Sequence, residues 1–390
     1  MTHSLLMGDQ TLFRDPDIFE ITYLPEIFNY RDAQVEDLAF ALRPAVQGFS
    51  PLNTVLMGPP GTGKTTAVRR LFAEVRETTQ RVVPALVSCQ TERTANAVYS
   101  QIFFAVFGHL PPRSGIANER ILEKVAGRLN ERKAVLVVCL DDANYLIPDG
   151  TLNRVLAAIL RMHEAWPGAR TGVFLTISDL AADLFRALNP ATLSVLHASN
   201  VYFMPYSEAE IRGILSDRIG VGLYPGVVPP AVLDYAAERT YACGDLRVGL
   251  DMVKRAALAA EADARREVTA EDMAAALQVS RHLQVATVVR SLSPGERAVL
   301  DAVLAVEEEG RGEQPATAGA VYARLCGRER IGYSTFHERL GKLEFLRLLD
   351  LEVRQEKVRT REIFVREGVE EMVGPGAGCP PAGVAEKGSR

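Results

Sequence analysis

No pair of cysteines in this chain is spaced as CxxC, and the five present (Cys89, Cys139, Cys243, Cys326 and Cys379) are odd in number and scattered. That pattern argues against a zinc ribbon or a disulfide-stapled secreted scaffold and points to a reducing compartment. Long apolar runs are missing too, for none approaches the ~20 residues that a membrane-spanning helix needs. Residues Met1 to Gln10 hold neither the basic start nor the apolar centre of a secretory signal. The expectation is a cytoplasmic protein with no membrane partner. A strong charge of either sign is likewise absent. Lys and Arg number 44 against 49 Asp and Glu, a formal net charge of −5. The chain as a whole therefore carries no signature of nucleic-acid binding, and any DNA contact has to come from a local basic patch. What the chain does have is length. Its 390 residues are too many for one core and suit two or three domains.

One stretch organises the rest: Gly58-Pro59-Pro60-Gly61-Thr62-Gly63-Lys64-Thr65-Thr66. It follows a short apolar run, Thr54 to Met57, that reads as a buried strand, and it precedes an amphipathic helix from Ala67. Strand, glycine loop and helix in that order are the context in which GxxxxGK[ST] is a phosphate-binding loop. The glycines let backbone N–H groups turn inward around phosphates, and the helix N-terminus favours their charge. Lys64 reaches the β- and γ-phosphates, and the Thr65 hydroxyl is a ligand of the kind Mg²⁺ takes. An ordinary strand–helix turn needs neither a lysine nor a hydroxyl at these positions. The expected nucleotide-binding residues here are Gly58, Gly61, Thr62, Gly63, Lys64, Thr65 and Thr66, with ATP or ADP as the ligand.

Further apolar runs follow. Arg81 to Cys89 reads as a strand whose Pro84 suits a sheet edge or a strand start. Ala134 to Asp142 is an apolar run ending in two carboxylates. In phosphate-loop ATPases such a strand sets an aspartate beside Mg²⁺, here Asp141. Gly172 to Ile177 is another strand, stopping at Ser178-Asp179. Helical periodicity marks residues 95–107, 117–130 and 151–165. The alternation implies an α/β domain with a parallel sheet, whose ligands sit at the strands' carboxyl ends.

From about residue 207 the strand pattern stops, and helices are predicted over 208–218, 230–240, 246–262 and 269–277. The last opens with a capping-box-like Thr-Ala-Glu-Asp. Arg247 falls in the first turn of a helix, where an arginine taken alone reads as a surface residue. Beyond Ser291 come three short helices (296–307, 317–326 and 334–346) and two strands, 348–353 and 362–365. Between the strands lie Arg354, Lys357, Arg359 and Arg361. This is the order of a winged helix-turn-helix, with a recognition helix for the major groove and a wing for the backbone. Charge alone does not separate that use from a solvated hairpin that contacts protein. The expected organisation is a loose segment over 1–20, a nucleotide-binding domain over 21–206, a helical domain over 207–286, a winged helix over 291–368 and a disordered tail over 374–390.

With these pieces in order, residues 15–365 resemble the archaeal replication initiators of the origin-recognition and cell-division-control ATPase family. Tyr23-Leu24-Pro25-Glu26 with Asn29-Tyr30-Arg31-Asp32 is similar to the family's segment beside the adenine. Phe203 to Ser207, followed by Ile214 to Arg218, looks like the family's entry to its helical lid. The resemblance implies an AAA+ phosphate-loop domain, then an all-α lid, then a C-terminal winged helix. It implies that Tyr206 and Arg218 lie at the nucleotide. Gly244-Asp245-Leu246-Arg247 is similar to the sensor-2 turn, so Arg247 is implied to reach the γ-phosphate.

Three departures concern hydrolysis. Asp142 stands where the family has a glutamate that orients the attacking water, one methylene longer. A misplacement near ~1 Å can cost on the order of a hundredfold in rate. Asp179 stands where the family has the sensor-1 asparagine, so a carboxylate replaces a polarising amide. Leu188 to Ser194, the region of the family's arginine finger, holds no arginine. Fingers contribute on the order of 10³ or more in other phosphate-loop enzymes. The expectation is an ATP-binding replication initiator with weak or absent hydrolysis at Asp142 and Asp179. Thr65 and Asp141 would hold Mg²⁺, and origin duplex DNA would be met through Arg354, Lys357, Arg359 and Arg361. Other initiator paralogues or the replicative helicase are the implied partners. The rivals are an active AAA+ loader or motor, and a winged-helix regulator with a vestigial nucleotide site.

Overall fold

The computed structural model describes residues 11–26, 28–112, 117–178, 184–310, 315–327, 331–346, 348–355, 359–366 and 369, and the chain divides into two compact units. One comprises Asp15–Gly222 with Gly244–Arg247, the other Met1–Arg14, Leu223–Cys243 and Val248–Arg390.

The first unit carries α1 (Asp32–Val46), β1 (Thr54–Met57), α2 (Lys64–Thr78), β2 (Val82–Ser88), α3 (Ala95–Phe107), α4 (Asn118–Arg132) and β3 (Val135–Asp141). It continues through α5 (Thr151–Leu160), α6 (Met162–Ala165), β4 (Arg170–Ile177), α7 (Leu184–Ala187), α8 (Pro190–Leu196), β5 (Ser199–Tyr202) and α9 (Glu208–Gly222). The strands form a parallel sheet in the order β2-β3-β4-β1-β5. Its centre is apolar on both faces because successive side chains point to opposite layers. In β3, Val135, Val137 and Cys139 pack with Leu38, Leu42, Val68 and Phe72 of α1 and α2. Leu136, Val138 and Leu140 join the opposite layer with Ile102, Val125 and Ile159 of α3, α4 and α5. The strand order brings the carboxyl ends of β3, β4 and β1 side by side, which is what places the two carboxylates near the phosphate loop.

Several local readings differ from the sequence-based ones. The single helix expected over 151–165 divides at Arg161 (φ −99°, ψ 13°), and the Ile159 carbonyl accepts from the Thr171 hydroxyl at 2.8 Å. β5 was not anticipated, because only Val201 of its four residues is buried. Pro84 does sit on an edge strand, where its missing N–H interrupts no central ladder. Residues 15–20, expected to be loose, hold a 3-10 turn, Pro16–Phe19, capped by Asp15 and burying Ile18 and Phe19. Gly222 of α9 makes room for it: a Cβ there would lie 2.6 Å from Phe19 Cε2. Helix α9 thus falls in the same compact unit as the nucleotide loop, and that unit runs to Gly222.

The second unit carries α10 (Pro230–Cys243), the body of α11 (Leu246–Ala262), α12 (Ala270–Ser291), α13 (Pro294–Glu309), β6 (Ala316–Thr317), α14 (Ala318–Cys326), α15 (Tyr333–Phe345), β7 (Leu349–Gln355) and β8 (Arg359–Val365). Helix α12 opens with the capping box of Thr269 and Asp272 but runs on to Ser291, beyond the predicted end at 277. A second capping box, Ser293 with Glu296, starts α13 with Pro294 at its first position. Strands β6, β8 and β7 form an antiparallel sheet beside α13, α14 and α15, around Val299, Val303, Val321, Phe336, Leu340 and Ile363. That is a winged helix-turn-helix. At the chain's start, the Thr11 hydroxyl and Leu12 N–H donate to Glu261 Oε2 at 3.1 and 3.0 Å, and buried Phe13 bridges Leu223. The expected tail over 374–390 lies outside the described residues. Among the described residues, no helix is long and apolar enough to cross a membrane.

Candidate functional site

The turn from β1 into α2 is forced by its neighbours as much as by its glycines. A Cβ on Gly58 would lie 2.2 Å from the Phe203 carbonyl oxygen. Gly61 (φ +75°) and Gly63 (φ +93°) adopt the left-handed region that side chains rarely enter. The Tyr206 hydroxyl stands 2.7 Å from where a Gly63 Cβ would be, with Phe28 alongside. Buried Thr62 donates to the Pro59 carbonyl at 2.8 Å, and Thr66 is half-buried in the first turn of α2.

Lys64 is 5% exposed, and its ammonium donates to the carbonyls of Gly58 and Pro59 at 2.7 and 2.8 Å. Burial lowers its pKa to about 8, against the upward pull of Asp142 and Asp141. The Thr65 hydroxyl meets both oxygens of Asp141, at 2.8 and 3.0 Å. Asp141 is held above the usual carboxylate range by burial and by the charge of Asp142. Thr176 of β4, fully buried, donates to Asp141 Oδ1 at 2.7 Å and accepts the Asp142 N–H at 2.7 Å. One hydroxyl therefore ties the Asp141 carboxylate to the Asp142 backbone.

Asp142 sits in the left-handed region (φ 54°, ψ 50°), which turns its side chain off the strand axis. Its Oδ1 accepts a hydrogen bond from the Ser178 hydroxyl and its Oδ2 one from Gln90 Nε2, the latter at 2.8 Å. Asn144 Oδ1 accepts the Ser178 N–H at 3.3 Å. Asp179 lies outside the described residues.

Arg31 ties the surroundings of the loop together. It is 4% exposed and donates to the carbonyls of Tyr30, Thr62 and Met204, with its guanidinium 3.8 Å from the centre of the Tyr206 ring. Burial raises the Tyr206 pKa. Arg218 donates to the Ile18 carbonyl at 3.1 Å and lies over the ring of Tyr23, in the segment that the resemblance sets beside the adenine. Arg247 is close enough to Lys64 for its charge to lower that lysine's pKa. Gln90 and Thr176 were not picked out from sequence, and Arg31 and Asp245 stood within the quoted motifs without a role of their own. The available signal was a threonine within the otherwise apolar end of β4.

The phosphate site passes a chemical test of fit. Three glycine positions have no room for a side chain, a buried ammonium faces carbonyls, and a hydroxyl converges with a carboxylate. Oxygen donors of this kind suit Mg²⁺, which binds through one or two carboxylates plus phosphates and water.

In the winged unit, Arg354 lies on β7, and Arg359 and Arg361 lie on β8; Lys357 is outside the described residues. Arg361 is exposed. Burial and then the Arg361 charge lower the pKa of His337 on α15, which puts that cation within electrostatic reach of the recognition helix. The helix's own cations turn inward. Lys342 pairs with Glu296 at 2.8 Å, and Arg339 covers Gly295. The exposed start of α15 is Tyr333, Ser334 and Thr335.

Residues 28–198 match the AAA ATPase domain family, and residues 212–278 match the Cdc6 AAA+ ATPase-type lid domain. The chain is similar to ORC1-type DNA replication protein 6 of Halobacterium salinarum, at 41% identity over 362 residues, 93% of this chain and 95% of that one. It is similar to the solved structure of the Aeropyrum pernix ORC1 protein in complex with DNA, with a TM-score of 0.65, 27% identity, and coverage of 94% of this chain and 97% of that one. The Aeropyrum pernix ORC2 protein, solved as ADPNP–ADP complexes, has a like fold, with a TM-score of 0.71, 22% identity, and coverage of 93% and 98%.

Proposed function

The chain belongs to the family of ORC1-type DNA replication proteins, and on that premise we propose that it is an ATP-binding initiator that recognises a replication origin on duplex DNA and acts in the regulation of DNA replication. Nucleotide serves as a switch or structural ligand, with slow hydrolysis or none. The observation that carries the reading is the contrast between Asp141, which ends β3, and Asp142, which follows it. Asp141 meets Thr65 beside a complete phosphate loop, whereas each oxygen of Asp142 already accepts a hydrogen bond, from Ser178 and from Gln90.

Lys64 and the loop amides would hold the β- and γ-phosphates, and Thr65 with Asp141 would hold Mg²⁺. The chemistry supplied by a bound Mg²⁺ is neutralisation of the β- and γ-phosphate charge. Tyr206 would flank the nucleotide from its place over Gly63, and Arg247 would reach the γ-phosphate. Arg218, engaged with Ile18, would act one step removed, by fixing α9. Asp142 is one methylene shorter than the glutamate of the family pattern and already bonded at both oxygens. It is poorly placed to orient a water, and this supports slow turnover. Duplex DNA would meet Arg354, Lys357, Arg359 and Arg361 through its phosphates and the start of α15 through the major groove. The partner that reads the switch is a second initiator-type chain or the replicative helicase.

The test is to denature purified full-length protein, quantify released ADP and ATP, and follow phosphate release with and without origin duplex. Tight nucleotide with little release supports the switch. Brisk release abolished by Lys64→Ala would instead make this a loader or motor. An empty site, with DNA binding unchanged by Lys64→Ala, would leave a winged-helix regulator.

A further inference from the structure

The turn Gly244–Arg247 belongs to the phosphate-loop unit, although the body of α11 does not. Within it, Asp245 does two things with one carboxylate. Its Oδ1 accepts the Arg247 N–H at 2.9 Å, as a helix cap does. The same carboxylate forks onto the Nε and Nη2 edge of the Arg247 guanidinium. Nε lies 3.0 and 3.1 Å from the two oxygens, and Nη2 lies 2.6 Å from Oδ2. Among the described residues no hydrogen bond involves Nη1.

Burial is uneven across the pair. Asp245 is 4% exposed, while the Arg247 side chain is 47% exposed. The carboxylate is also seated against the phosphate loop: a Cβ on Gly61 would lie 2.4 Å from Asp245 Oδ1. One edge of the guanidinium is therefore clamped to a buried group resting on the loop, and the other edge carries no hydrogen bond among the described residues. A free arginine would lose much rotamer freedom on meeting a phosphate. Here that freedom is already removed before any ligand arrives.

We propose that Asp245 is the positioning residue for Arg247, holding its guanidinium by the Nε/Nη2 edge so that Nη1 is presented to the terminal phosphate of a nucleoside triphosphate. The inference rests on the nucleotide-binding reading above. Asp245 does not touch the phosphate; it acts through Arg247. Its contribution falls on the triphosphate and not on the diphosphate, because only the former has a γ-phosphate for Arg247 to meet.

Asp245→Asn separates this role from a structural one. Asparagine caps a helix as well as aspartate does, so the turn is kept while the charged two-oxygen fork is lost. Binding of Mg-ATP and Mg-ADP is measured on the full-length wild type, Asp245→Asn, Arg247→Ala and the double variant, with melting of each nucleotide-free protein. In Asp245→Asn the expected loss is about tenfold for Mg-ATP with Mg-ADP within about twofold. Melting should shift little, and Asp245→Asn should add nothing in the Arg247→Ala background. An unchanged preference for ATP over ADP in Asp245→Asn would overturn the proposal, as would an equal loss of both nucleotides. Tighter ATP binding would also overturn it, making Asp245 a competitor for Arg247. A wild type that binds neither nucleotide would overturn the nucleotide reading itself, and this inference with it.

Discussion

Lys64 is the residue at which burial and charge most directly oppose each other. Its folded pKa of about 8 lies below the ordinary lysine value of 10.5, chiefly because of burial. Unfolded chains therefore bind more protons between those two values, so nucleotide-free stability should rise with pH through that window. Nucleotide affinity should do the opposite, because phosphate favours the ammonium that the site sheds above about 8. Between pH 7 and pH 9.5 the affinity for Mg-ATP should fall by about tenfold or more, while Lys64→Ala binds weakly with no such slope. Calorimetric titrations at the two pH values decide it. Thr176 offers a second test. Thr176→Val keeps the shape but strips Asp141 of a donor and the Asp142 N–H of its acceptor, at a cost of about 1–3 kcal/mol. A lower melting temperature that Thr176→Ser restores is the expected result. The contrast between these residues explains what was legible beforehand. Lys64 and Thr65 are fixed by local spacing, so the chain announces them. Thr176 and Gln90 reach the site through strand register and a distant turn, with a lone threonine in an apolar strand end as the only local mark, whereas Asp245 stood inside a recognised motif that singled out only Arg247.

Elements were legible where their periodicity was long and their caps explicit. α3 was read end to end from its periodicity, and in the structure Thr94 caps it and Gly108 closes it in the left-handed region. β5 escaped because one buried valine makes no pattern, and α12 was cut short although its later turns bury Val285 and Val289 in the next core. Recognition helix α15 was placed within a residue of its observed start, but its charges were not. Lys342 faces the buried Glu296 at the start of α13, so the pair joins two helices and is withdrawn from DNA. Lys342→Ala should lower the melting temperature of the winged unit, because it leaves Glu296 buried without its cation. It should leave unchanged the slope of log affinity for duplex DNA against log salt. Arg361→Ala, at an exposed cation of β8, should do the reverse and reduce that slope by about one contact, ~0.9. Salt titrations of both variants against one duplex separate the roles. If Lys342→Ala flattens the slope and Arg361→Ala does not, the DNA-facing surface has been assigned to the wrong cations.

At the scale of the whole chain, the switch reading makes a quantitative demand. The nucleotide loop belongs to one unit and the winged helix to the other, with the chain passing between units at Arg14/Asp15, Gly222/Leu223, Cys243/Gly244 and Arg247/Val248. Two of those passages flank the turn that carries Arg247, and α11 begins in one unit while its body belongs to the other. A ligand that fixes Arg247 therefore acts on the first turn of a helix whose remaining turns belong to the same unit as the winged helix. If nucleotide is a switch, Mg-ATP must change the affinity for origin duplex by some factor relative to Mg-ADP. Linkage then requires duplex DNA to change the ratio of ATP to ADP affinity by the same factor, and couplings of this kind usually amount to about 5–150-fold. Both sides of that equality can be measured on one preparation: DNA affinity in saturating Mg-ATP and Mg-ADP, and nucleotide affinity with and without saturating duplex. Equal factors well above one are the expected outcome, and Arg247→Ala should bring both toward one together. Factors of one in the wild type would make ATP a structural ligand with no message for the DNA. Unequal factors would mean that turnover intrudes on the equilibrium and that the site hydrolyses faster than the occupied oxygens of Asp142 allow.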